Sequence, residues 1–370
     1  MYSPHIGDPL AALDTPSLLV DLDLMESNIA LMQERLRGSQ VQMRPHLKTA
    51  KCPEIARMLL KAGAIGGCVS KVSEAEVMAS AGIEDLLITS EIVGLAKVAR
   101  LVELIQQHPS IKVVVDSLVG ATALNQAMES IRKPLDVLIE IDVGQHRCGV
   151  QPGEETLQLA QQLSSLSFLR LRGIQGYEGH LQHVADAAER ERNCRQSMQL
   201  LTSTVESLRQ AGFSIDIVTT GGTGTAQICA SFPAVTEVQP GSFIFMDADY
   251  LHALGPTYAS SLTVLSTVIS RPAFQRAIID AGLKSLSTDS GMAELKNAPG
   301  LHYSPLGDEH GGLTWDNDYT KNQPEPQIED RLELIPSHCD TTINLFDTYY
   351  AHRNGRIEAI WPIAARGRVQ

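Results

Sequence analysis

Between Val41 and Asp247 the chain alternates short β-branched or apolar runs with longer stretches whose apolar residues recur three and four positions apart. The first pattern suits a buried strand and the second an amphipathic helix, so their repetition predicts parallel βα units. Eight runs qualify as strands: Val41–His46, Gly66–Ser70, Asp85–Ser90, Lys112–Asp116, Asp136–Asp142, Leu171–Tyr177, Ile215–Thr220 and Glu237–Phe245. Intervening stretches such as Pro53–Ala62 and Val72–Ala81 read as helices. Eight such units predict an α/β fold, a (β/α)8 TIM-like barrel over residues 21–250. After Asp249 the texture changes: Ser261–Ile269, Ala277–Asp280, Arg331–Leu334, Thr342–Phe346 and Ile357–Ile363 read as strands without long helices between them. With the opening strand Ser17–Val20, which could join either part, they predict a smaller β-rich domain from residues 1–20 and 251–370. Leu301–Gln327, rich in Gly, Pro, Asp and Asn, reads as loop.

The 370 residues are more than one ordinary core needs, which agrees with two domains. A net charge of -13, from 30 Lys+Arg against 43 Asp+Glu, disfavours nucleic acid or an anionic membrane as partner and points to a small-molecule ligand. No segment approaches the ~18 uncharged apolar residues of a membrane span, and Met1–Leu13 has no basic leader ahead of an apolar stretch. The six cysteines are scattered, several within apolar runs, as expected of reduced thiols in a cytoplasmic protein.

Several motifs fall where barrel chemistry gathers, at the C-terminal ends of strands. Lys48, in Arg44-Pro45-His46-Leu47-Lys48-Thr49, would sit in a partly desolvated mouth that disfavours its charged form, leaving an amine able to attack an aldehyde; a surface lysine beside Arg44 and Lys51 is the alternative. Gly221-Gly222-Thr223-Gly224-Thr225 follows the seventh run, and Pro240-Gly241-Ser242 lies near the eighth; together they could cradle a phosphate with backbone N–H groups and hydroxyls, or be turns without a ligand. Arg147 follows the fifth run and would carry a permanent charge into the mouth, unless it forms a rim salt bridge with Asp142 or Glu140. His338 and Asp340 are two apart, and an extended backbone over 332–344 would set both on one face as ligands for Mn²⁺, Mg²⁺ or Zn²⁺; a polar turn is the bland reading. His180 and His183, after the sixth run, are candidates for acid/base groups, metal contacts or helix caps. A Schiff-base lysine, a phosphate cradle and a metal pair describe a pyridoxal 5'-phosphate enzyme with a divalent metal beside the cofactor.

These residues resemble the D-threonine aldolase family, including the 3-hydroxy-D-aspartate aldolases, and more distantly the eukaryotic D-serine dehydratases and alanine racemase. The resemblance runs through Asp14-Thr15-Pro16, Arg44–Thr49, Lys71-Val72-Ser73-Glu74-Ala75, Glu140-Ile141-Asp142, Arg147-Cys148-Gly149, Gly221–Thr225, Phe245–Tyr250, Asp280-Ala281-Gly282, Asp308–Gly311 and His338-Cys339-Asp340. It implies that Lys48 forms the Schiff base, that Arg147 faces the pyridine nitrogen, that Tyr177, Gly222, Thr223, Gly241 and Ser242 anchor the cofactor, and that His338 and Asp340 hold the metal. It further implies a homodimer, since relatives complete their sites across a dimer interface. Dehydratase relatives carry a cysteine two residues after the histidine, so Asp340 favours the aldolase branch. Many relatives have histidine where Ala50 stands and proline where Thr341 stands, and Thr348–His352 lacks the tryptophan often found there, which leaves the substrate side chain unsettled.

The expected reaction is cleavage of a D-configured β-hydroxy amino acid to glycine and an aldehyde, with the metal on the β-hydroxyl and His46, His180 or His183 as the base that takes its proton. A 3-hydroxy-D-aspartate aldolase would release glyoxylate. A dehydratase would instead release an oxo acid and ammonia, and a non-catalytic pyridoxal-phosphate carrier would have no use for the His338/Asp340 pair.

Overall fold

The computed structural model describes residues 4–321 and 323–370. The chain forms two compact units, one of Met32–Gly241 with Gly367–Gln370, the other of Ser242–Arg366 with the described residues up to Leu31.

The first unit is the expected parallel barrel, with strands β1 (Gln42–Met43), β2 (Gly67–Val69), β3 (Leu86–Ile88), β4 (Lys112–Val115), β5 (Leu135–Glu140), β6 (Leu169–Gln175), β7 (Ile217–Thr220) and β8 (Glu237–Val238). They run in the order β1-β8-β7-β6-β5-β4-β3-β2. The circle closes where the segment after β1 bridges to β2: His46 pairs with Cys68, Leu47 N–H donates to Cys68 O at 2.7 Å, and Cys68 N–H donates to Pro45 O at 2.9 Å. Cys68, Leu87, Val114 and Leu138, one from each of β2 to β5, are at most 1% exposed and form one buried layer, with Cys68 packed as a small hydrophobe. Helices follow the strands as the periodicity predicts. Pro53–Lys61 starts on a proline, whose missing N–H costs nothing in the first turn, and buries Ile55, Ala56 and Leu59. Val72–Ser80 starts with Glu74 reaching back to the N–H of Lys71. The eighth run is shorter than expected, because Pro240 and Gly241 end the ladder after Val238 and Ser242–Ile244 winds into a 3-10 turn.

The second unit is a nine-stranded sheet. Leu262–Ala273 pairs on one side with Arg331–Ile335 and also with Arg276–Ile279. Through Gly311–Trp315, Leu301–Pro305 and Glu294–Leu295 these strands close an antiparallel ring, which Ser17–Asp21, Thr348–Arg353 and Arg356–Pro362 extend on one edge. Two expectations fail here. Leu301–Gln327 is not all loop, since Leu301–Pro305 and Gly311–Trp315 form a hairpin in which Leu301 and Tyr303 point inward and His302 and Ser304 outward. Its glycines mislead because they serve close packing: a Cβ on Gly311 would lie 2.4 Å from the Tyr303 ring. Thr342–Phe346 is not a strand either; Cys339–Ile343 is a short helix, and the strand follows at Thr348–Arg353. Among the described residues no helix is long and apolar enough to cross a membrane.

Candidate active site

All eight barrel strands are parallel, so every segment leaving a strand's C-terminus opens on the same mouth. Lys48 leaves β1, Arg147 β5, Tyr177, His180 and His183 β6, Gly222 and Thr223 β7, and Gly241 β8. The barrel thus brings the Lys48 amine, the Arg147 guanidinium, the Tyr177 phenol and a glycine loop to a common face.

Lys48 is half-buried in a turn closed by Lys51 N–H donating to Leu47 O at 2.8 Å. Its basic neighbours are not surface cations. Arg44, 2% exposed, grips Glu237 through Nε and Nη2 at 2.8 and 2.9 Å and also donates to Asp85. Lys51, 8% exposed and at φ 52°, donates to Glu74 Oε1 at 2.5 Å, while Glu74 Oε2 accepts the N–H groups of Ser70 and Lys71 at 2.8 and 3.2 Å. Gly241 closes over the turn, where a Cβ would stand 2.8 Å from Thr49 Oγ1 and 3.2 Å from His46 O.

The glycine loop is organised from within the protein. Gly221, at φ 76°, donates to Glu178 Oε2 at 3.3 Å, Gly222 to Thr225 Oγ1 at 3.1 Å and Gly224 to Gln182 Oε1 at 2.9 Å. Glu178 is fully buried and also accepts from the hydroxyls of Thr220, at 2.8 Å, and Thr225. The N–H of Gly222 is therefore spent, and the residue matters for its size: a Cβ would fall 2.5 Å from Gln182 Oε1. The sequence reading missed Glu178 and Gln182. Their signal, a carboxylate and an amide four apart just after a strand, is too common to stand out.

Neither carboxylate proposed as a salt-bridge partner takes Arg147. Asp142 accepts the N–H groups of Gly144 and His146 and lies 3.1 Å from His146 Nδ1. Glu140 is buried, burial pushes its carboxyl well up, and it pairs with Gln175. Among the described residues Arg147 has no ion pair; its guanidinium lies 5.7 Å from the centroid of the Tyr177 ring. His180 is exposed, and desolvation lowers its pKa despite Glu178. His183 is exposed as well.

The metal candidates lie in the second unit. The extended backbone expected over 332–344 is not found: Arg331–Ile335 ends at Pro336, His338 caps the helix Cys339–Ile343, and Asp340 lies in its first turn. The helix start nevertheless keeps His338 Nε2 and Asp340 Oδ2 3.9 Å apart. Asp289 Oδ2 stands 2.7 Å from His338 Nδ1 and its Oδ1 accepts from Thr341 Oγ1 at 2.8 Å. Burial would raise the Asp289 carboxyl, but the hydrogen bonds from Ser287, His338 and Thr341 hold it at about 2. An ionised Asp289 retains the proton on His338 Nδ1 and leaves the Nε2 lone pair turned towards Asp340, the arrangement of a histidine prepared for a cation. Imidazole and carboxylate ligands bind such ions at about 2.0–2.2 Å, so the gap suits one ion. Asp289, 49 positions before His338 in a polar turn, carried no sequence signal.

Comparison with known proteins adds an independent line. Residues 20–249 match the family model described as alanine racemase, N-terminal domain, and residues 261–352 match that of a putative serine dehydratase domain. The chain is 43% identical to a D-threonine aldolase from Arthrobacter sp. over 98% of its own length and 95% of the relative's. It is 33% identical to a 3-hydroxy-D-aspartate aldolase from Paracoccus denitrificans, covering 96% and 93%. The crystal structure of D-threonine aldolase from Filomicrobium marinum superposes with a TM-score of 0.95 at 37% identity over 100% of both chains.

Proposed function

Because the chain belongs to the D-threonine aldolase and 3-hydroxy-D-aspartate aldolase family, on an alanine racemase-type barrel, we propose that it cleaves D-configured β-hydroxy amino acids to glycine and an aldehyde with pyridoxal 5'-phosphate and a divalent metal. The observation that carries the reading is the barrel mouth, where Lys48, an Arg147 without a carboxylate partner and the braced glycine loop share one face.

When bound, the cofactor supplies an electron sink for the breaking Cα–Cβ bond, and the metal supplies a Lewis acid for the β-hydroxyl oxygen. Lys48 would hold the cofactor's aldehyde carbon, with Gly222, Thr223 and Gly241 about its phosphate. Arg147 cannot lose its proton; facing the cofactor's pyridine nitrogen it would offer no acceptor for a proton there, and the electron sink would be weaker than beside a carboxylate. Tyr177 packs against that guanidinium and steadies it. His338 and Asp340 would hold the metal, Mn²⁺, Mg²⁺ or Zn²⁺, with Asp289 fixing the imidazole. His180, kept neutral by desolvation, can accept the hydroxyl proton, and His183 is the neighbouring alternative. A homodimer in the cytoplasm is the assembly and location we assign.

A dehydratase is the second reading, favoured by the match over residues 261–352. Purified holoenzyme offered D-threonine and D-3-hydroxyaspartate with and without Mn²⁺ separates the two. Metal-dependent acetaldehyde or glyoxylate, with stoichiometric glycine, is the expected result. Ammonia with an oxo acid would establish the dehydratase, and cofactor binding without turnover would leave only a carrier.

A further inference from the structure

We propose that His46 is a positioning residue that fixes the backbone of Lys48, and not the group that takes the substrate's proton; this rests on reading Lys48 as the cofactor-holding lysine. The Thr89 hydroxyl has a single proton and donates it to the Val69 carbonyl oxygen at 3.2 Å, so towards any other partner it can only accept. His46 Nε2 lies 3.1 Å from that oxygen and must therefore carry the ring proton. A neutral imidazole protonated at Nε2 keeps its lone pair on Nδ1, and there the N–H of Lys48 arrives at 3.4 Å.

The chain of bonds has a mechanical meaning. Val69 ends β2 and Thr89 follows β3, two strands already in register through Val69 and Ile88. The imidazole transmits the position of those strands to the main chain of Lys48. A ring acting as general base would accept a proton at Nδ1 and aim N–H at N–H, breaking the contact that holds the lysine on every turnover.

The test uses the cofactor-loaded enzyme and reads the ring directly. ¹⁵N NMR of the unsubstituted protein should show His46 as the neutral Nε2–H tautomer, and Thr89→Val should abolish that preference while Thr89→Ser keeps it. His46→Leu should lower kcat/KM by about 10²-fold, as expected for a small displacement of a reacting group, and shift the pH at which the cofactor's visible band titrates. His46→Asn, whose side-chain oxygen can accept the Lys48 N–H, should restore the band's titration and most of the lost kcat/KM. A proton on Nδ1 in the unsubstituted enzyme would overturn the proposal. So would His46→Asn as inactive as His46→Leu with an unshifted band, the behaviour of a base. Lys48→Ala separates the two levels: loss of the band upholds the reading of Lys48, so an Nδ1–H ring then overturns the positioning role alone, whereas a band that survives Lys48→Ala removes the reading and the positioning role together.

Discussion

Glu74→Ala should destabilise the barrel more than its single missing side chain suggests. The carboxylate is 2% exposed, and removing it strands the Lys51 ammonium, 8% exposed, and the N–H groups of Ser70 and Lys71. Breaking a buried ion pair from one side costs about 3–5 kcal/mol, because the remaining charge stays desolvated. With a urea slope near the upper end of about 1–3 kcal/mol/M, the midpoint should fall by about 1 M or more. The double substitution Lys51→Met/Glu74→Gln removes both charges and leaves a side-chain oxygen for the Ser70 and Lys71 amides. It should recover most of the loss, and with Lys51→Met and Glu74→Gln measured singly the double-mutant cycle should give a coupling of about 2 kcal/mol or more. Urea unfolding followed by far-UV circular dichroism measures all the variants. Equal midpoints for Glu74→Ala and the double variant would refute the claim that an uncompensated charge is the cause.

Three further outcomes are expected. Asp289→Ala, which frees the His338 ring, should weaken Mn²⁺ binding by about 10–100-fold in a chelator competition without changing the visible spectrum, and an unchanged affinity would remove Asp289 from the metal site. Gly222→Ala should push its new methyl against Gln182 and cost about 1–3 kcal/mol, read as a lower Tm and weaker retention of pyridoxal phosphate on dialysis. His352 is buried with neither ring nitrogen hydrogen-bonded, and burial lowers its pKa despite Asp21 and Glu333. The unfolded chain then binds this proton first as pH falls, so the stability His352 contributes is complete above about 6.5, its unperturbed value, and is lost on acidification towards the lower folded pKa. Tm of the parent should drop between pH 7 and 5 more steeply than that of His352→Gln, and parallel curves would contradict this.

The barrel was legible because its signal is local and repeated. Runs such as Lys112–Asp116 and Asp136–Asp142 announce themselves within a few residues and sit within a residue or two of the observed strands. The hairpin from Leu301 to Trp315 was hidden by its composition: Gly311 and Gly312 are there to let Tyr303 and Leu306 approach, a requirement that exists only once the strands have paired. At the site, the residues expected to touch ligands were named from motifs, whereas those that hold them were not. Glu178, Gln182 and Asp289 act on partners 42, 42 and 49 positions away, and no window of sequence contains both ends of such a bond. Asp340 shows a subtler gap. Its pairing with His338 was anticipated from strand alternation, but a helix start produces the proximity instead.

The seam of the cylinder lies beside the reactive amine. Lys48 rides two residues past His46, the point at which the first strand's continuation meets the second to finish the circle. A sheet lacking this junction would hold the segment before the lysine from the β8 side alone, through Arg44 N–H to Val238 O and His46 N–H to Pro240 O. The place of the reactive amine therefore depends on the ring being whole at this junction, and a sheet left open there would present Lys48 in no fixed geometry.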